Sequence, residues 1–374
     1  MTTIKERSTN SRKSNGSKEI LQRKIDHIKI SMEDDVQYNV NFFDEMRLLH
    51  YSAPEINFKE IDLSTKFFKR VISAPICITA ITGGPVISKD INMTLAKAAE
   101  QEQIIMSVGS QRAGLISNEA LESFSIVRDV APNIPVIGNI GVGQISDPDF
   151  SLDDFKECID MIKADAMAIH FNALQELVQD KGDISYKLFR QNFHQIREHF
   201  KIPIIAKEVG TGFNYDFASV MDKIGFDGFD IGGAGGTNFT VIEEKRQNGN
   251  SEDYTRNLTE TFREWGIPTP VSIVYTRENS HKLIIATGGL RNGIDIAKAI
   301  ALGADIGGFA HQFLLTAWED LKEHGITRTI KEIKTLKNEL RSALWLLNMK
   351  NPTELKLNKE KFVILGKLYQ WLNQ

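Results

Sequence analysis

The residues able to do chemistry in this chain fall at the ends of short apolar runs. One run ends in Ala80-Ile81-Thr82-Gly83-Gly84, the next in Ser110-Gln111-Arg112, and a third passes through Asn139. A fourth ends in His170-Phe171-Asn172 with Gln175-Glu176 close behind, and a fifth in Lys207-Glu208. Asp230 and Gly235-Gly236-Thr237 follow, then Gly288-Gly289-Leu290-Arg291 and Ala310-His311. Gly-rich turns and helix starts present backbone N–H groups to an anion, above all a phosphate. A lone strand-end His serves structure more often than catalysis. A His, an Asn and a Gln-Glu pair converging on one place are harder to dismiss.

Such ends need a scaffold that gathers them. Eight β-rich apolar runs recur, at 76–81, 104–109, 135–141, 166–171, 202–209, 226–232, 283–288 and 305–310. Their starts lie 22 to 36 residues apart, except for one gap of 57. Parallel strands need a crossover helix between them, so the spacing reads as repeated β–α units. Eight units predict an α/β fold, a closed (β/α)8 TIM barrel; an open doubly wound sheet is the alternative. Barrel enzymes carry their sites at the C-terminal strand ends, which makes the polar ends a ring around one mouth. Side chains alternate along a strand, so Met167, Ile169 and Phe171 should meet the helices. Ala166, Ala168, His170 and Asn172 should face the barrel axis.

Two pieces of the ring suggest ligands. Gly288 to Arg291, with the first turn of a helix expected near His311, form the phosphate cup recurrent in barrels, and it suits the phosphate of FMN. Lys207 ends a buried run and costs desolvation unless it meets an anion. That anion is a carboxylate, Asp230 or Glu208, or else the pyrimidine edge of a flavin. Upstream of the first strand lies Arg23-Lys24-Ile25-Asp26-His27. As ordinary surface this segment is solvated; folded over the mouth, Arg23 and Lys24 would offer charge-assisted contacts to a phosphorylated substrate.

The bulk properties exclude other classes. With 41% hydrophobic and 25% charged residues the composition is that of a globular protein, and the net charge of −4 gives no basic field for nucleic acid or a membrane. No apolar run approaches the roughly 18 residues that span a bilayer. Cys77 and Cys158 sit in apolar surroundings and read as reduced packing residues, as in a cytoplasmic protein. Residues 1–19 read as a disordered polar leader and 20–374 as one barrel domain. The long gap predicts a loop over 237–282, either a lid or disorder, and a helical tail follows Leu315 with Leu340, Leu344 and Leu347 on one face.

Taken in order, these motifs resemble one family. Arg-Lys-x-Asp-His at 23–27, Ala-Ile-Thr-Gly-Gly at 80–84, Val-Gly-Ser-Gln-Arg at 108–112 and His-x-Asn-x-Leu-Gln-Glu at 170–176 are similar to those of type 2 isopentenyl-diphosphate isomerases. Lys-Glu-Val-Gly at 207–210, Gly-Gly-Ala-Gly-Gly-Thr at 232–237 and Gly-Gly-Leu-Arg-Asn-Gly at 288–293 complete the series. The resemblance implies interconversion of isopentenyl and dimethylallyl diphosphate in isoprenoid biosynthesis, with FMN, Mg2+ and NADPH as reductant, in a homotetramer or octamer. It implies that Arg23, Lys24, His27, Ser110, Gln111 and Arg112 bind substrate, with the diphosphate held by Arg23, Lys24 and residues 110–112. His170, Asn172 and Gln175 would line the reacting pocket, and Glu176 would hold Mg2+. For FMN the matching positions are Ala80, Ile81, Thr82, Ser110, Asn139, Lys207, Thr237, Gly288, Gly289, Leu290, Arg291, Ala310 and His311. Two departures stand out. Asp180-Lys181 replaces the usual Pro-Glu, and Ile81 stands where Met is common.

The alternative is an FMN-dependent oxidoreductase sharing the phosphate cup. It would need a base such as a His beside an Arg after the sixth or seventh strand, and Asn238-Phe239 follow Thr237 instead. A dehydrogenase working through a mouth-loop Cys is disfavoured too, because neither cysteine lies in such a loop.

Overall fold

The computed structural model describes residues 19–32, 36–180, 182–247 and 258–373. Residues 1–18 of the expected leader lie outside these, and residues 19–32 are helical. The eight expected strands are all present, as β1 (Ile76–Ile78), β2 (Ile105–Ser107), β3 (Val136–Gly141) and β4 (Ala166–Phe171), then β5 (Ile204–Glu208), β6 (Gly228–Asp230), β7 (Leu283–Ala286) and β8 (Ile306–Phe309). They close into a parallel barrel in chain order, with β8 pairing β1. Most strands are shorter than the apolar runs that announced them. In the third and fourth runs the pairing continues to the last residue, Gly141 and Phe171.

Ile-rich strands buried on both faces are what a closed parallel sheet demands. Inside the barrel, Cys77, Ile105, Ile137, Ala166, Ala168, Ile205, Ile285 and Ile306 pack into one cluster. Phe67 and Ile72, from the hairpin Thr65–Phe67 and Arg70–Ile72, plug its lower end. Met167, Ile169 and Phe171 belong to the outer core under the helices, as the alternation requires. Both cysteines are buried and free.

The lower rim is held by a repeated device. Asp165, Asp227 and Asp305 each precede an even-numbered strand and accept a backbone N–H from the preceding strand. The donors are Val136, Ile204 and Ile284, all at 2.9 Å. Each aspartate also pairs with an arginine from the helix before that strand: Arg128 at 2.7 Å, Arg197 at 2.8 Å and Arg277 at 2.9 Å. Arg70 of the plug hairpin adds a second cation to Asp165 at 2.5 Å.

The expected loop over 237–282 is in part helical, with Phe239–Gln247 and Thr269–Asn279 both α-helices. Residues 248–257, the centre of the proposed lid, lie outside the described residues. The tail is helical as expected, with Leu340, Leu344 and Leu347 buried, and its strand Phe362–Ile364 pairs antiparallel with Met46–Leu48. No described helix is long and apolar enough to cross a membrane.

Candidate active site

Two residues above the apolar interior, the inner face of the strands turns polar. Thr79, Ser107, Asn139, Lys207, Asp230 and Thr287 are all buried there, with His170 beside them. The helix over 19–32 lies across this mouth on three tethers. Lys24 Nζ donates to the carbonyls of Gly83 (2.5 Å) and Ser110 (2.8 Å) and sits over the Phe124 ring. His27 Nε2 meets Glu243 Oε1 at 2.9 Å, and His311 Nε2 meets the Ser31 carbonyl at 2.9 Å. The reading that placed Arg23 and Lys24 over the mouth matches this geometry.

A cavity of about 240 Å3 separates helix and strand ends. Its wall brings together Ala80, Ile81, Thr82, Ser110, Asn139, Lys207, Thr237, Ala310 and His311 with Arg23, Lys24, His27, Arg112, His170, Asn172, Gln175 and Glu176. Gln111 is not on this wall. Its side chain is fully buried and turned away, donating to the Cys158 carbonyl (2.8 Å) and accepting from the Asn139 N–H (2.9 Å). It braces β3 and leaves the ligand side to its neighbours. Gly288, Gly289, Leu290 and Arg291 also stand off the wall. Thr269 Oγ1 and Asn41 Nδ2 cover the carbonyls of Gly288 and Gly289 at 2.6 Å each, and Leu290 joins the outer core.

The strand-four loop follows from its spacing. The helix Ala173–Val178 starts directly after Asn172, so Gln175 and Glu176 lie three and four residues on and share its face. Asn172 Nδ2 donates to Gln175 Oε1 (3.2 Å) and Glu176 Oε1 (2.9 Å). Glu176 Oε2 accepts from Gln179 Nε2 (3.2 Å) and from the Asp183 N–H (2.7 Å). Sequence reasoning missed Glu243, which is fully buried and joins three parts of the site. It binds His27, Arg246 Nε (2.7 Å) and Gln175 Nε2 (3.4 Å). Burial alone would raise its pKa, but hydrogen bonds and charge from His27 and Arg246 outweigh that and hold it at about 2. Gln144, Gln179, Val209 and Phe239 also line the cavity unannounced.

Electrostatics set the protonation of the wall. Of the two readings of Lys207, the Asp230 ion pair is present at 2.9 Å, and the lysine also borders the cavity. Thr79 (3.3 Å) and Thr287 donate to the same Asp230 carboxylate. Glu208 instead caps its own loop, taking the N–H groups of Val209, Gly210, Thr211 and Gly212 at 2.5–2.9 Å. Burial, then the charges of Lys207, Lys24 and Arg112, push His170 down to about 3, so the imidazole is neutral. Asn139 fixes its tautomer. The amide donates to the Val108 carbonyl (3.2 Å), so its Oδ1 accepts from His170 Nδ1 (2.8 Å) and Nε2 is left as an acceptor. Burial, then Arg23 and Arg112, lower Lys24 to about 7. An anion in the mouth would offset that repulsion and restore the charge on Lys24.

These residues fit FMN and Mg2+. The helix His311–Lys322 begins at the wall with no side-chain cap on Ala310, leaving first-turn amides for a phosphate. Lys207 supplies a buried cation, and the Ser107 hydroxyl is buried without a partner among the described residues. Glu176 has three of its roughly four acceptor positions engaged, which suits one monodentate bond to a hard cation that keeps its waters. Among the described residues no cluster of three or more His, Cys, Asp or Glu could hold a metal by itself.

Comparison with known proteins identifies the family. A family model described as FMN-dependent dehydrogenase matches residues 160–361. The isopentenyl-diphosphate delta-isomerase of Archaeoglobus fulgidus is 37% identical over 94% of this chain and 98% of that protein. That of Thermococcus onnurineus is 39% identical over 94% of this chain and 93% of its own length. The chain belongs to the isopentenyl-diphosphate delta-isomerase family, within the FMN-dependent dehydrogenase barrels. Solved structures add the fold. A flavocytochrome b2 double mutant with sulfite bound superposes with TM-score 0.65 at 17% identity, covering 93% of this chain and 84% of that one. A mandelate oxidase mutant with (S)-mandelic acid gives TM-score 0.61 at 12% identity, covering 95% and 98%. At these identities the likeness shows the barrel fold alone.

Proposed function

We propose that this chain interconverts isopentenyl and dimethylallyl diphosphate, with FMN kept reduced by a reductant such as NADPH. The observation that carries the reading is the joining of Arg23 and Lys24 of the N-terminal helix, the Asn172, Gln175 and Glu176 side chains of the strand-four loop, and a buried lysine in one cavity, in a member of this family. Moving a double bond by one carbon requires a proton to be given at one carbon and taken from another, away from water. When bound, reduced FMN would supply that acid–base group at N5.

The chain's own residues position and exclude. Arg23, Lys24 and Arg112 would bind the diphosphate, with Glu176 holding Mg2+ against it. Lys207, balanced by Asp230, would face the flavin. Gln175, His170 and Asn172 are uncharged and would orient the hydrocarbon end without competing for its proton. His170 in particular serves as an acceptor through Nε2. Glu243 sets Gln175 and His27 relative to each other. The helix over 19–32 would shield the reacting carbons, since its tethers reach the strand-one and strand-two loops and the helices after strands six and eight. A homotetramer or octamer in the cytoplasm completes the proposal on family grounds.

The test is direct. Protein loaded with FMN and reduced, given Mg2+ and isopentenyl diphosphate, should form dimethylallyl diphosphate, followed by proton NMR. Oxidation of an added hydroxy acid with no isomerised product would favour the oxidoreductase reading instead.

A further inference from the structure

The cation and the metal carboxylate of the proposed clamp are joined through one residue. Asp183 Oδ2 accepts from Arg112 (2.9 Å) and from Gln144 Nε2 (3.2 Å). Its backbone N–H donates to Glu176 Oε2 at 2.7 Å. Gln144 is itself fixed, its Oε1 taking the N–H of Gly141 (3.1 Å) at the end of β3. Two glycines let residue 183 reach this place. A Cβ on Gly182 would lie 1.9 Å from the Glu176 carbonyl, and one on Gly143 would lie 2.7 Å from the Asp183 Cβ. The chain folds back on Glu176 only because both are absent.

The arrangement is specific about charge. Two acids side by side repel, yet Asp183 turns its N–H toward Glu176 and its carboxylate toward Arg112. The Arg112–Asp183 pair is more than a third exposed on both sides, and ion pairs so placed add little to stability. Its worth must lie elsewhere. Holding a long arginine in one rotamer before the ligand arrives removes an ordering cost from binding.

We propose that Asp183 is a positioning residue coupling Mg2+ binding at Glu176 to diphosphate binding at Arg112, an inference that rests on the clamp assigned above. With its backbone on one partner and its side chain on the other, it fixes their separation, so that metal and anion bind as one unit.

The experiment is calorimetry of inorganic pyrophosphate on the FMN-loaded protein, with and without Mg2+ and corrected for complexation in solution. The readout is the factor by which Mg2+ tightens binding. In Asp183→Asn, which keeps the N–H to Glu176, that factor should fall by about tenfold. Gln144→Met, which removes the second tether of the same oxygen, should lower it by less. Glu176→Gln should abolish it. A loss of pyrophosphate affinity in Asp183→Asn that is equal with and without Mg2+ would mean the residue serves Arg112 alone and would overturn the coupling. So would an unchanged factor. No Mg2+ effect in the unsubstituted protein would instead remove the clamp itself.

Discussion

The two ends of the same eight strands are built on opposite terms. At the lower rim every aspartate described above is matched: Asp165, Asp227 and Asp305 each take a strand N–H and an arginine, and a hydrophobic hairpin plugs the centre. At the upper rim cations gather around a cavity, Lys24 is held below its ordinary pKa, and the Ser107 hydroxyl lacks a partner among the described residues. Matched charges stabilise a fold; partly matched ones await a ligand. The difference teaches where a barrel can be altered without touching its chemistry, and where the reverse holds.

Substitutions at the two ends should therefore separate stability from activity. The largest effect is expected at the bottom. Asp165→Ala removes the carboxylate that Arg70, Arg128 and the Val136 N–H share, leaving the two arginines only backbone carbonyls, and should cost about 3 kcal/mol by urea unfolding with kcat unchanged. A loss of activity per folded molecule there would break the comparison. At the top, Gln175→Ala should lower kcat/KM about 100-fold while unfolding shifts by less than about 1 kcal/mol.

The upper rim should also govern the response to acid. His170 and Glu243 both titrate lower in the folded protein than unfolded. Each contribution is complete above the unfolded pKa and fades as pH falls. For His170 that window runs from about 6.5 to 3, and for Glu243 from about 4.3 to 2. At pH 5 the His170 share alone should amount to about 2 kcal/mol of lost stability. His170→Gln should flatten the curve between pH 7 and 5, and an unchanged slope would place the acid sensitivity elsewhere. The smallest signal concerns Lys24. An anion beside it should restore its charge, so substrate binding at pH 8 should take up about one proton, read from calorimetry in buffers of different ionisation enthalpy. Lys24→Met should remove that uptake.

Much of this was legible in the residues because barrel strands must alternate and must be spaced for crossover helices. The inner placement of Ala166 and Ala168 followed from a period of two and from which face carried the large apolar residues, and the gathering of Asn172, Gln175 and Glu176 followed from their place at the end of the fourth strand. What periodicity does not report is where a long polar side chain turns. Gln111 sits in the strand-two motif beside Ser110 and Arg112, yet it folds inward to brace β3. Glu243 opens a charged stretch that reads as solvated loop, and only the N-terminal helix packing on it reveals a buried hub. The lower clamps were invisible for a related reason. An aspartate before a strand and an arginine 28 to 37 residues away look like ordinary surface charges until the barrel closes.

On the proposed function, isomerisation consumes no reductant beyond what keeps FMN reduced. The decisive measurement counts product against NADPH consumed, with Mg2+ and excess isopentenyl diphosphate under anaerobic conditions. Many molecules of dimethylallyl diphosphate per NADPH are expected. One NADPH per product, at any substrate concentration, would contradict it.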